Sequence, residues 1–266
     1  MLRWSINLFR VFGIQLAVHA SFVLLLAYYA VTGWQEGRWL GMVWRVLLIV
    51  LFFICVVLHE LGHSLTARRF GVKVPRILLM PIGGMAEFDH IPRKPFTEFL
   101  ITVAGPAVNF AIALLLLPYF WNSLVNDDLT KPWSIPDMGL ELLIANIAMG
   151  CFNLLPVFPM DGGRIFRALL ATRLPYVRAT FWAARVGQVL AIAFACVAAF
   201  YFHNVMLAVL FAFIFSVGGA EYRNLLRQEE VTAYWAEMAR RVTVPNRPSD
   251  YDEPPTPPPL IVHGPN

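Results

Sequence analysis

Charged residues are scarce in this sequence. Asp, Glu, Lys and Arg make up 14% of its 266 residues, where soluble domains carry about 25%. The hydrophobic share is 58% and the mean hydropathy +0.62. That balance excludes an ordinary water-soluble globule and points to an integral membrane protein. Cysteine is scarcer still: Cys55, Cys151 and Cys196 each lie inside an apolar run, and no CxxC pair exists. This excludes a zinc knuckle and a disulfide framework, and the three read as small buried hydrophobes. A single basic patch is also missing, so the net charge of +4 does not point to nucleic acid. Lys and Arg instead recur between apolar segments, as topology signals do. No internal repeat is visible. The apolar run from Val11 is too long for a signal-peptide core and no small-x-small cleavage site follows it. It therefore reads as a retained first span.

Membrane-crossing helices need about 20 apolar residues. Six candidate spans lie near Ile14–Thr32, Trp44–Leu65, Phe99–Phe120, Leu140–Leu155, Thr180–Tyr201 and Val205–Gly219. The fourth and sixth are short, as spans enclosed by other helices often are. An even count puts both termini on one side. Most of the 21 Lys and Arg fall on that side, from Arg3 and Arg10 to Arg240 and Arg241. The opposite side has Arg38, Arg45 and Lys131, beside Asp127 and Asp128. The positive-inside rule makes the first side cytoplasmic.

Between spans two and three runs "VKVPRILLMPIGGMAEFDH". Pro75, Pro81 and Gly83-Gly84 break it as a helix, and its short apolar runs around a glycine pair predict a β hairpin. The expected fold is an all-α polytopic membrane protein: six transmembrane helices, with a small membrane-associated β hairpin or sheet between helices 2 and 3. Residues 1–222 form the membrane core, 223–244 a cytoplasmic helix, and 245–266 a Pro-rich disordered tail.

The second span contains "VVLHELGHSLTARRF". His59, Glu60 and His63 interrupt an apolar run where ionisable groups cost a few kcal/mol or more without a partner. Four residues apart, the two His project from one helical face and can hold one metal ion. Glu60 is placed to act on water there as general base. Catalytic zinc takes three protein ligands and leaves one position open. Glu87, His90 and Asp161 are candidates for the third. Topology brings Asp161 to the cytoplasmic depth of His59 and His63, and Gly162-Gly163 permits a close turn there. Asp161 read alone is more readily a helix N-cap before Arg164–Leu170.

"HELGHSLTARRFGV" together with "NLLPVFPMDGG" resembles the site-2 protease family of intramembrane zinc metalloproteases. "AGPAVN" (Ala104 to Asn109) is similar to that family's motif in the next core span, and "MPIGGMAEF" to its membrane-associated β segment. The resemblance covers about Ile14 to Gly219. It implies one Zn²⁺ per chain held by His59, His63 and Asp161, with Glu60 as base. Asn153 would help hold the substrate or the developing oxyanion; Asn146 is a weaker candidate for that wall, with packing its expected role. It further implies a single-pass transmembrane protein substrate cut near the cytoplasmic face, an upstream protease acting on the same substrate, and the bacterial inner membrane as location. The paired nucleotide-sensing domains and the inserted PDZ domain of many relatives have no counterpart here, which suggests a minimal membrane core.

A helix hides its carbonyls in its own hydrogen bonds, so a membrane substrate must unwind before it is cut. Gly83 and Gly84, near an edge strand, are expected to let an unwound substrate pair there. Two other readings of the motif remain: a membrane-embedded peptidase acting on soluble or lipidated chain ends, and a metal transporter using the His pair. Transport needs ligands spread along a through-path, whereas these cluster at one depth.

Overall fold

The computed structural model describes residues 4–81, 83–89, 92–126 and 135–243. Helices dominate: α1 (Ser21–Arg69), α2 (Pro95–Asn126), α3 (Ile135–Asn153), α4 (Asp161–Ala171), α5 (Tyr176–Phe200) and α6 (Val205–Thr243). Four short strands join them: β1 (Ser5–Val11), β2 (Ile14–His19), β3 (Arg76–Met80) and β4 (Gly83–Glu87). By length and composition α1, α2, α5 and α6 can each cross a membrane, and α3 carries a shorter apolar stretch, Met138–Asn153. The bundle is apolar outside as well as inside, with Leu114, Leu115, Val189 and Phe200 all exposed. Lipid tails are as apolar as Leu, so a membrane surface tolerates this where water would not.

The first expected span is corrected. Ile14–His19 is not helical but strand β2, paired antiparallel with β1. Phe12 and Gly13 both take positive φ, 50° and 79°, which closes a tight turn and sends the chain back as a hairpin. Helix α1 begins only at Ser21, whose backbone N–H donates to His19 Nδ1 at 3.2 Å.

Helix α1 contains the rest of expected span one and the whole of span two, as antiparallel arms. Gly37 and Arg38 leave helical geometry, Arg38 with φ of 54°. A Cβ on Gly33 would sit 2.4 Å from the carbonyl oxygen of Gly41, although eight residues of straight helix would separate them by about 12 Å. The Phe22 and Phe53 rings meet edge-on at 4.6 Å, which only folded-back arms allow. Arg45 Nη2 closes the bend on Glu36 Oε2 at 2.9 Å.

The hairpin expected between helices 2 and 3 is present as β3 and β4, with Leu79 opposite Gly84 and Met80 opposite Gly83. It is one half of a larger sheet. β2 pairs parallel with β3, giving the order β1-β2-β3-β4 and leaving β4 at an edge. The parallel pairing is a tertiary contact that α1 makes possible, because it carries the chain away from β2 and back to β3. Expected span three lies in α2, span four in α3, span five in α5 and span six in α6. Helix α6 continues unbroken to Thr243, so the residues expected as a separate cytoplasmic helix extend it. The Pro-rich tail and His90 lie outside the described residues. Of the cysteines, Cys55 is buried, whereas Cys151 and Cys196 are exposed on the helix surface.

Candidate metal centre

His59 and His63 stand one turn apart on α1, both buried. Their Nε2 atoms lie 3.1 Å from each other. Asp161 Oδ2 lies 3.3 Å from His59 Nε2 and 3.2 Å from His63 Nε2. Asp161 reaches them because it is the first residue of α4; the N-cap position belongs to Met160, which makes no side-chain cap bond. The two glycines that follow let α4 press against the preceding loop. A Cβ on Gly162 would fall 2.1 Å from the Leu155 carbonyl oxygen, and one on Gly163 2.7 Å from the Phe158 nitrogen.

The hydrogen-bond polarity behind His59 and His63 fixes what they present. Asn146 Nδ2 donates to the Leu142 carbonyl at 2.8 Å, so its Oδ1 accepts Asn109 Nδ2 at 3.0 Å. Asn109 Oδ1 is then left to face His59 Nδ1 at 2.5 Å, and His59 must be the donor. His63 Nδ1 likewise faces the Ile101 carbonyl oxygen, at 2.8 Å. With both Nδ1 atoms donating outward, both Nε2 atoms turn lone pairs toward Asp161.

Two lone pairs and a carboxylate therefore converge, and Asp161 Oδ2 is buried without a hydrogen-bond partner. An anion at a junction of imidazole nitrogens calls for a cation, and proton and metal compete for those same Nε2 positions. Three donors around a tetrahedral zinc ion at about 2.0–2.1 Å would stand about 3.3 Å apart, close to the observed spacings of 3.1, 3.2 and 3.3 Å. The donor set therefore fits zinc with one coordination position left for water or substrate. Among the described residues, His59, His63 and Asp161 form the group that could hold a metal ion.

Space for that ion depends on a residue the sequence reading passed over. A Cβ on Gly105 of α2 would lie 2.2 Å from His63 Nε2 and 2.8 Å from His59 Nε2. Gly62 performs the matching task on α1, where a Cβ would meet the Ala104 carbonyl oxygen at 2.7 Å. Asn109 was missed too. The signal for both was present in "AGPAVN": a glycine and an amide at fixed spacing inside an apolar span, where an unpartnered amide is costly.

The other candidates separate. Glu87 pairs across the hairpin with Arg76, Oε1 to Nη2 at 2.6 Å, and is not part of the ligand group. Asn146 is wholly buried and accepts from Asn109, which in turn faces His59. Asn153 is the last residue of α3 and half-buried. Glu60 points at the sheet: its Oε2 accepts the Ala86 N–H at 3.2 Å. Gly84 lies against it, since a Cβ there would come 2.7 Å from Glu60 Cγ. Gly83 has φ of 138°, which a side chain would strain, and nothing crowds it.

The model for peptidase family M50 matches residues 47–126 and 128–194, which contain both parts of this site. A zinc metalloprotease of Methanocaldococcus jannaschii is 40% identical over 197 residues, 72% of this chain and 53% of that protein. The stage IV sporulation protein FB of Bacillus subtilis is 29% identical over 133 residues, 49% of this chain and 43% of that one. The chain thus spans about half the length of these curated relatives. The solved structure of a site-2 protease from Methanocaldococcus jannaschii matches with a TM-score of 0.57 and 34% identity, covering 82% of this chain and 95% of that one. With the HExxH helix and the Asp161 turn both inside the matched regions, the chain belongs to peptidase family M50.

Proposed function

We propose that this protein is an intramembrane zinc endopeptidase that hydrolyses peptide bonds of transmembrane substrates near the cytoplasmic membrane face. The observation that carries this reading is the junction of His59 Nε2, His63 Nε2 and Asp161 Oδ2, set among helices apolar enough to cross a membrane, with Glu60 following His59 in α1. In this reading His59, His63 and Asp161 are the zinc ligands. When bound, zinc polarises the scissile carbonyl and acidifies water. Glu60 takes a proton from the attacking water and returns it to the leaving amine. Asn153 holds the substrate or steadies the oxyanion from the end of α3.

The sheet supplies the substrate's place. An unwound peptide lies along the edge of β4 and recovers backbone hydrogen bonds lost from its helix. The contact of Gly84 and Ala86 with Glu60 supports this, because it puts the edge strand next to the base. The chain crosses the membrane six times, the two arms of α1 counting separately, with both termini cytoplasmic in the bacterial inner membrane. Residues 1–222 are the membrane core and 223–244 its cytoplasmic extension. Its substrate is a single-pass membrane protein, first trimmed by another protease. The test is cleavage of a panel of membrane-segment fusions by purified protein, with and without chelator. Chelator-sensitive cleavage within the membrane segment is expected. Cleavage that persists without zinc, or only of soluble chains, would overturn the reading.

A further inference from the structure

Behind the ligand helix α4 lies a buried charge cluster that the chemistry above does not use. Arg167, on α4, and Glu98, on α2, are both almost fully buried. Arg167 Nε and Nη2 both donate to Glu98 Oε1, at 2.8 and 2.5 Å. Its Nη1 donates to Glu221 Oε1 on α6, at 3.0 Å. The guanidinium also packs on two rings, 5.2 Å from the Phe158 centroid and 5.1 Å from that of Tyr176.

Such a cluster is a poor way to gain stability. Desolvating the charges offsets most of their attraction, and apolar replacements of similar volume are often as stable. What a guanidinium fork provides is direction: planar donors that fix both distance and rotation. Asp161 and Arg167 are six residues apart on α4, about 9 Å along its axis and about one and two-thirds turns around it. One end of α4 thus meets the His pair of α1 and the other is clamped to α2 and α6. Phe158, under the guanidinium, is wholly buried in the loop that delivers Asp161. Helix α2, the other side of the clamp, also carries Gly105 and Asn109 against the two His.

We infer that Arg167, through Glu98 and Glu221, is a positioning residue that sets the rotation and depth of α4 and so holds Asp161 at the metal junction. The inference rests on the zinc reading above. It is tested on the full chain in bilayer discs. Zinc affinity is measured by competition with a chromogenic chelator, and the thermal midpoint of the zinc-free protein is measured alongside.

Two variants are compared with wild type. In Arg167→Met/Glu98→Leu the buried charges are removed together, and the half-exposed Glu221 can turn to water. In Arg167→Lys the charge stays but the fork is lost. Both are expected to melt near wild type when zinc-free yet bind zinc about tenfold more weakly, with kcat lowered and KM little changed. If the double variant does not fold, Arg167→Lys decides. Wild-type zinc affinity in Arg167→Lys, or in a folded double variant, would overturn the inference while leaving the metal centre intact. A wild-type protein that takes up no zinc would instead overturn the metal centre itself.

Discussion

His59 Nδ1 and Asn109 Oδ1 lie 2.5 Å apart across the α1–α2 interface, although fifty residues separate them in sequence. The bond turns the His59 lone pair at Nε2 toward Asp161, and Asn146 fixes its direction from behind. Asn109→Ala removes the acceptor while leaving His59, His63 and Asp161 in place. Zinc affinity should fall by about 10- to 100-fold, the usual loss when a ligand's partner is removed. Equilibrium dialysis of the purified variant checks this; unchanged affinity would mean that His59 is oriented by packing alone.

Glu60→Gln keeps size and can still meet the Ala86 N–H, but it cannot take up a proton. Cleavage should be almost abolished with zinc content unchanged. Metal analysis beside a peptide-release assay decides the matter, and a variant that cleaves near the wild-type rate would remove Glu60 from the mechanism.

Asp161 and Glu87 give opposite expectations. Asp161→Ala should lower both zinc content and activity. Glu87→Ala should leave zinc nearly untouched, since Glu87 pairs with Arg76, and change stability by at most about 1 kcal/mol as a partly exposed pair. Metal analysis of the two variants reads the difference, and the reverse pattern would reassign the third ligand.

Gly105→Ala adds one methyl group. Because that carbon would fall 2.2 Å from His63 Nε2, α2 must shift or the imidazole must turn away. Zinc should be lost almost completely, with the helical content measured by circular dichroism retained. Full zinc occupancy in this variant would show that α1 and α2 sit farther apart than the structure has them.

Gly84→Val tests strand addition. Its side chain would press on Glu60 and Val56, so cleavage should fall with zinc retained. A Gly-Pro pair inserted in the substrate should raise cleavage by wild type, because less helix must be unwound before pairing. Rates of matched substrates with both proteins, at equal zinc content, provide the measurement. Equal rates in all four combinations would dispose of strand addition and leave the zinc site untouched.

The sequence by itself determined the parts that obey local or compositional rules. Hydropathy marked the apolar helices, since burial in lipid depends on composition. The i, i+4 spacing put His59 and His63 on one face of α1, since helical periodicity is local. Gly83-Gly84 between short apolar runs marked the β3–β4 hairpin. The third ligand stayed open on spacing and depth alone, until the resemblance pointed to Asp161. What only the tertiary structure decided depends on how distant segments meet. Ile14–His19 is apolar enough to be read as the start of a span, but pairing with β1 and β3 satisfies its backbone as a strand. Gly105 and Asn109 acquire meaning only where α2 crosses α1. Arg167 and Glu98, 69 residues apart, look like unrelated surface charges until α4 is laid against α2. A sequence displays which groups are costly to bury; the packing of helices decides which partner makes each burial tolerable.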